Sequence, residues 1–277
     1  MFSENNDHMS IIDEIEVKMD LLNERIPSVF SPLICEAGQE GMDEKMERCL
    51  GFMERKDLCY ADFSYVMSYY LAVKPERNMD PLLERLDNIM DILHDLPGSA
   101  LLAASYYGME ELEMRLPRLL SILENPFGKI PVLSGGMKTD AASMTAGTIL
   151  AADGGPAEGA KAIQLYFKFR ERKGLNPTDP GILRMTGLLG ILADRPSDLT
   201  EQIFAISDQM GLENRWEHLS ETEKVLIACC KWMGDAVGSP EISDAMNLTA
   251  MNFLYGMPQE AAAVAAACLF PFALKMK

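Results

Sequence analysis

The sequence predicts an all-α protein made of tandem helical hairpins, arranged as a compact α/α superhelix or a closed α/α ring. Three observations carry this expectation. Apolar residues step by three and four, helix-start signals recur between those runs, and an unusually apolar helix returns every 35 to 41 residues.

The stepping is clear in Ile11, Ile12, Ile15, Met19, Leu22 and Ile26. It recurs in Leu82, Leu86, Ile89, Met90 and Leu93, and again in Leu199, Ile203, Ile206 and Met210. Each set forms an apolar stripe on one face of a helix. Asp80-Pro81, Asp179-Pro180 and Ser239-Pro240 place a capping side chain before a proline at the first helical position, where the missing N–H has no partner to lose. Ser220 with Glu223, and Asp198 with Glu201, have the spacing of a capping box. No run alternates with period two for long enough to make a strand, so sheet content is expected near zero.

Two kinds of helix take turns. The amphipathic kind needs cover on one side only. The other is apolar nearly all round and rich in small residues: Ser99 to Ala104, Ala141 to Ala152, Gly181 to Ala193, and Pro258 to Leu274. Starts of this second kind fall near Pro27, Asp62, Gly98, Thr139, Pro180, Glu221 and Pro258. A period in this range marks helical repeat arrays. A helix apolar on every side must be covered on every side, which favours a strongly curved or closed array with the amphipathic helices outside. The helix over 10–26 and the one from Pro258 then pair to complete it. The whole chain, 1–277, reads as one helical-repeat domain, with an internal break at 125–138, where Pro126, Gly128, Pro131, Gly135 and Gly136 crowd together as a long loop.

Tyr70-Leu71-Ala72, Ile149-Leu150-Ala151 and Ile191-Leu192-Ala193 each close an apolar helix and lead into a polar turn. These closures and the segment from Gly174 to Val237 resemble an uncharacterised family of bacterial all-helical proteins of unknown function. The resemblance implies a helical fold and carries no activity.

Composition narrows the partners. Lys and Arg number 25 against 42 Asp and Glu, a formal net charge of −17. That field repels phosphate backbones and anionic lipid heads, and no basic stripe with interleaved aromatics is read from the sequence. Nucleic acid is excluded as an expectation, and a protein partner with a basic segment is favoured. The longest apolar stretch, Ala261 to Leu274, is too short to span a bilayer and contains Pro271. Ser3 to Asp7 has neither the basic nor the apolar region of a signal peptide, so the chain reads as cytoplasmic. The six cysteines, at 35, 49, 59, 229, 230 and 268, include no C-x-x-C pair and read as core thiols.

Chemistry is sparse. Glu84, Asp87, Asp91 and Asp95 form an acidic ladder suited in principle to Mg²⁺, but the ladder falls opposite the apolar face of its helix and reads as solvated. Ser134-Gly135-Gly136-Met137-Lys138-Thr139 lacks the P-loop spacing, and at most offers backbone N–H groups to an anion near Asp140. His8, His94 and His218 are too scattered for a zinc site. No catalytic residue, metal or cofactor is assigned. Arg184, inside an otherwise apolar helix, is the most informative residue: it must reach water or hold an acidic partner. Aligned on the Leu-Ala closures, Tyr65 and Tyr69 match Met144 and Thr148, and Thr186 and Gly190. Arg184, Thr186, Tyr65, Tyr69, Thr148 and Trp232 are therefore the candidate ligand-binding handles.

The first functional expectation is an interaction or regulatory scaffold that binds a protein segment. The alternative is a small-molecule binder or enzyme with a pocket inside a closed ring. If the cysteines are core thiols, denaturation without reductant should release six free thiols, and dithiothreitol should leave the melting temperature unchanged. A reductant-labile melt contradicts this reading.

Overall fold

Helices that are apolar all round and helices that are apolar on one face cannot share a layer, because only the second kind tolerates water. The computed structural model separates them into two layers. It describes residues 41–58, 62–74, 78–105, 108–127, 130–134, 137–254 and 263–269. Helix makes up 79% of the structure. The elements are α1 (Met42–Arg55), α2 (Asp62–Ala72), α3 (Asp80–Leu93), α4 (Leu96–Ser105), α5 (Met109–Phe127), β1 (Pro131–Ser134), β2 (Met137–Asp140), α6 (Ala141–Ala151), α7 (Pro156–Glu171), α8 (Pro180–Leu192), α9 (Pro196–Gly211), α10 (Glu221–Val237) and α11 (Pro240–Leu254). A helical segment over 263–269 follows.

The inner layer runs α2, α4, α6, α8, α10, each in contact with the next. Every residue of α6 is buried, as is Gly181 to Gly190 of α8. The outer layer includes α5, α7 and α9, which also touch in order. Each outer helix buries a single stripe; α3 buries Leu82, Leu83, Leu86, Ile89, Met90 and Leu93. The inner helices begin at Asp62, Leu96, Ala141, Pro180 and Glu221, within two residues of the expected starts. The expected helix over 10–26, the start near Pro27, and Cys35 and Cys59 lie outside the described residues.

All of 263–269 is buried. Cys268 lies close enough to Tyr70, Lys74 and Arg184 for their charges to act on one another. The last described helical segment thus lies near the end of α2 and α8. Among the described residues no helix is long and apolar enough to cross a membrane.

Four local expectations change. The 125–138 stretch is not a plain loop: α5 continues to Phe127, and β1 pairs antiparallel with β2, Pro131 opposite Asp140 and Ser134 opposite Met137. Asp80 is the first helical residue rather than a cap, and its carboxylate pairs with Arg48 at 2.8 Å. Asp198 likewise lies inside the first turn of α9, whose cap is Arg195, so no capping box forms there. Asp95 leaves the acidic ladder altogether: α3 ends at Leu93, His94 takes a left-handed conformation (φ 51°), and the carboxylate turns inward. Ser220 and Glu223 do form the reciprocal box that opens α10.

Small residues set the spacing of the inner layer. A Cβ added to Gly147 of α6 would lie 3.0 Å from the Cα of Gly98 in α4, and one added to Gly187 of α8 would lie 3.2 Å from the Cβ of Thr148. Gly147→Leu and Gly187→Leu should each destabilise the fold by about 1–3 kcal/mol or more through overpacking. Urea melts measure this; two near-neutral variants would mean that the inner helices are not this tightly apposed.

Candidate functional site

Arg184 lies in the second turn of α8, where the flanking residues are Leu183 and Met185 and nothing on the same helix can neutralise a charge. Its guanidinium and the Asp95 carboxylate are both fully buried. They meet through two hydrogen bonds, Nη2 to Oδ1 at 2.6 Å and Nη1 to Oδ2 at 3.2 Å. Asp95 is also the cap of α4: its Oδ2 accepts from the Gly98 N–H at 3.0 Å, while the Ser99 hydroxyl donates to its carbonyl at 2.6 Å. Gly98 must lack a side chain here, since a Cβ would sit 2.4 Å from Asp95 Oδ2. One carboxylate therefore closes α4 and anchors α8.

The other sequence candidates do not converge on this pair. The Thr148 hydroxyl donates to the Met144 carbonyl at 3.1 Å, and the Thr186 hydroxyl to the Ile182 carbonyl at 2.7 Å, so both are satisfied within their own helices. Tyr69 is half-buried in α2, and burial raises its phenol above the usual value. Tyr65 lies in α2 with its side chain outside the described residues. Trp232 of α10 is half-buried against the core, its indole N–H donating to Gln202 of α9 at 2.8 Å. The structure brings Arg184 to Asp95 and leaves Thr148, Thr186 and Trp232 in separate helix contacts.

Gly135 and Gly136 lie outside the described residues, and the N-terminus of α6, the expected anion position, is already taken. Asp140 caps the helix with its own carboxylate, accepting from the Ser143 N–H at 2.8 Å and the Ser143 hydroxyl at 3.2 Å. The hairpin also docks on the inner layer: β1 contacts α8, and the Thr139 hydroxyl donates to the Leu93 carbonyl at 2.9 Å. Burial pushes the Cys49 and Cys230 thiols up to about 12, and Cys229 and Cys268 are raised as well. Such thiols carry almost no thiolate near neutrality, which argues against a nucleophilic role.

A cleft of about 490 Å³ opens on the outer layer, between the end of α7, the length of α9 and the start of α10. Ser197, Glu201, Phe204 and Asp208 line it from α9 at spacings of four, three and four, a stripe about 16 Å long on one helix face. Arg172 crosses its floor. The guanidinium lies 4.9 Å from the Phe204 ring centre and bonds Asp208 and Glu221, with Nε to Glu221 Oε1 at 2.7 Å. The hydrogen bond to Asp208 raises the Arg172 pKa first, against partial burial, and the same bond holds the Asp208 carboxyl below its usual value.

This region holds residues that the sequence reading passed over. Tyr166-Phe167-Lys168-Phe169-Arg170-Glu171-Arg172-Lys173 is a basic run interleaved with aromatics, contrary to the expectation that none exists. Its signal was local: between Lys161 and Lys173 five basic residues face one acidic residue, in a chain of net charge −17. Whole-chain charge hid it.

The fold and these sites define the class: an all-α array of packed helical pairs, with a sealed ion pair within and a charged cleft outside. Comparison of the sequence with family models, curated proteins and solved structures finds no match.

Arg184→Ala should destabilise the protein by about 3–5 kcal/mol, because Asp95 is left buried without its counter-charge. Arg184→Met combined with Asp95→Asn should recover much of that loss, since Asn keeps the cap on α4 and no charge remains. A double-mutant cycle from urea melts checks the coupling; strict additivity would contradict it.

Proposed function

We propose that this protein is a non-catalytic interaction scaffold that receives a basic segment of a protein partner in the cleft between α7 and α9. The observation that carries this reading is where space is found. The described inner helices are packed against one another down to glycine and threonine contacts, and the charged pair among them is sealed from water. The described cleft opens outward instead.

The chemistry of the cleft supports a basic occupant on its α9 side. Two carboxylates and an aromatic ring already hold one guanidinium there, that of Arg172, in the arrangement that favours arginine recognition. Glu201 extends the acidic wall toward the start of α9 and is exposed. The overall negative field speeds the approach of a basic segment.

The protein purified from its native cells at native abundance should, by native mass spectrometry, carry a stoichiometric protein partner. Glu201→Lys should weaken that complex by about tenfold or more while leaving the melting temperature within about 1 °C. A stoichiometric small molecule in place of a partner, or a complex indifferent to Glu201→Lys, would overturn this assignment.

A further inference from the structure

The opposite wall of the same region has the wrong sign for a basic partner. Helix α7 buries Ala162, Leu165, Tyr166 and Phe169, which places Phe167 at the crest of its outer face. Phe167 is 43% exposed, one of few large apolar side chains so exposed among the described residues. Lys161, Lys168 and Arg170 lie on the same helix and Lys173 just past its end; Lys161 is half-buried and the other three are exposed, Lys168 and Lys173 also lining the cleft. Lys168 pairs with Glu171 at 3.4 Å, whereas Lys161, Arg170 and Lys173 have no ion-pair partner among the described residues.

We propose that this ridge of α7 is a second docking surface, which takes a short acidic segment of a partner protein with an apolar side chain seated on Phe167. The proposal rests on the scaffold reading and extends it: one wall holds basic residues, the next holds acidic ones. Charge complementarity selects the occupant. A positive ridge on a protein of net charge −17 has no general electrostatic purpose, since solubility is already served by the excess of carboxylates. The neighbours limit its length. Exposed Glu110, Glu113 and Glu124 on α5, and Asp198, Glu201 and Asp208 on α9, lie on either side. A long polyanion or an anionic bilayer would meet those carboxylates, and a short acidic peptide lying along α7 would not. Phe167 supplies the apolar anchor that a purely ionic contact lacks.

The probes are labelled synthetic peptides: one carrying Asp and Glu around a single Leu, its Asn and Gln counterpart, and a Lys-rich version, each measured by fluorescence anisotropy at low ionic strength. The acidic peptide should bind at least about tenfold more tightly than its amide counterpart and weaken as salt rises. Lys161→Glu with Arg170→Glu should reduce acidic-peptide binding at least about tenfold and leave the Lys-rich peptide's binding to the cleft unchanged. Phe167→Ala should reduce it about threefold or more without altering the salt dependence. The milder Lys161→Gln with Arg170→Gln should give an intermediate loss, and circular dichroism melts of all variants verify that they fold. Equal binding of acidic and amide peptides, or undiminished binding by the charge-reversed variant, would overturn the proposal. So would tighter, variant-sensitive binding of a single-stranded oligonucleotide or of phosphatidylglycerol vesicles. A failed acidic peptide beside an intact native complex removes this inference alone; an absent native complex removes the scaffold reading and leaves the peptide result to stand by itself.

Discussion

The buried pair of Arg184 and Asp95 is the constraint around which the inner layer is organised. Two charges taken wholly out of water are costly, and only a close bidentate contact with further hydrogen bonds repays the loss. The pair satisfies both conditions because Asp95 is at once counter-ion and helix cap. It links α8 to the start of α4, with α6 between them and in contact with both. Register among three inner helices is therefore tied to one ionic contact. Purely apolar packing would not distinguish one rotation of α8 from another so sharply, as its surface is apolar on nearly every side.

That dependence spreads outward. Gly98 is bare so that the Asp95 carboxylate can fold back onto its N–H, and the bare Gly98 in turn admits Gly147 of α6. The approach of α6 leaves Thr148 over Gly187 of α8, with its hydroxyl turned back to its own helix. At the rim, Thr139 of β2 bonds the carbonyl of Leu93, two residues before Asp95. Cys268, in the buried segment 263–269, lies within electrostatic reach of Arg184. Among the described residues the inner helices are closely packed, and the described cleft lies on the outer layer.

On that wall electrostatics are segregated rather than averaged. Helix α7 presents a basic ridge with an exposed phenylalanine, while α9 presents a carboxylate row, and Arg172 bridges the two over Phe204. The sign of the surface thus changes over about one helix diameter, which net charge alone cannot describe.

The sequence by itself determined the helix types and their alternation, because each follows from interactions within a few residues: apolar stepping, proline at first positions, the Ser220–Glu223 box. It also isolated Arg184 as a charge in need of a partner, since a lone cation among Leu, Met and Ile is conspicuous in one dimension. The partner was not legible. Asp95 lies 89 positions away, and helical periodicity assigned it to a solvated ladder because nothing local announced that α3 would stop at Leu93. The cleft was hidden for a similar reason: Arg172, Asp208 and Glu221 are scattered along the chain and meet only when α7, α9 and α10 pack. Local propensities act within a few residues along the chain, whereas burial and charge pairing act through space, so only the tertiary structure decided which charges would be sealed together and which would be left facing solvent.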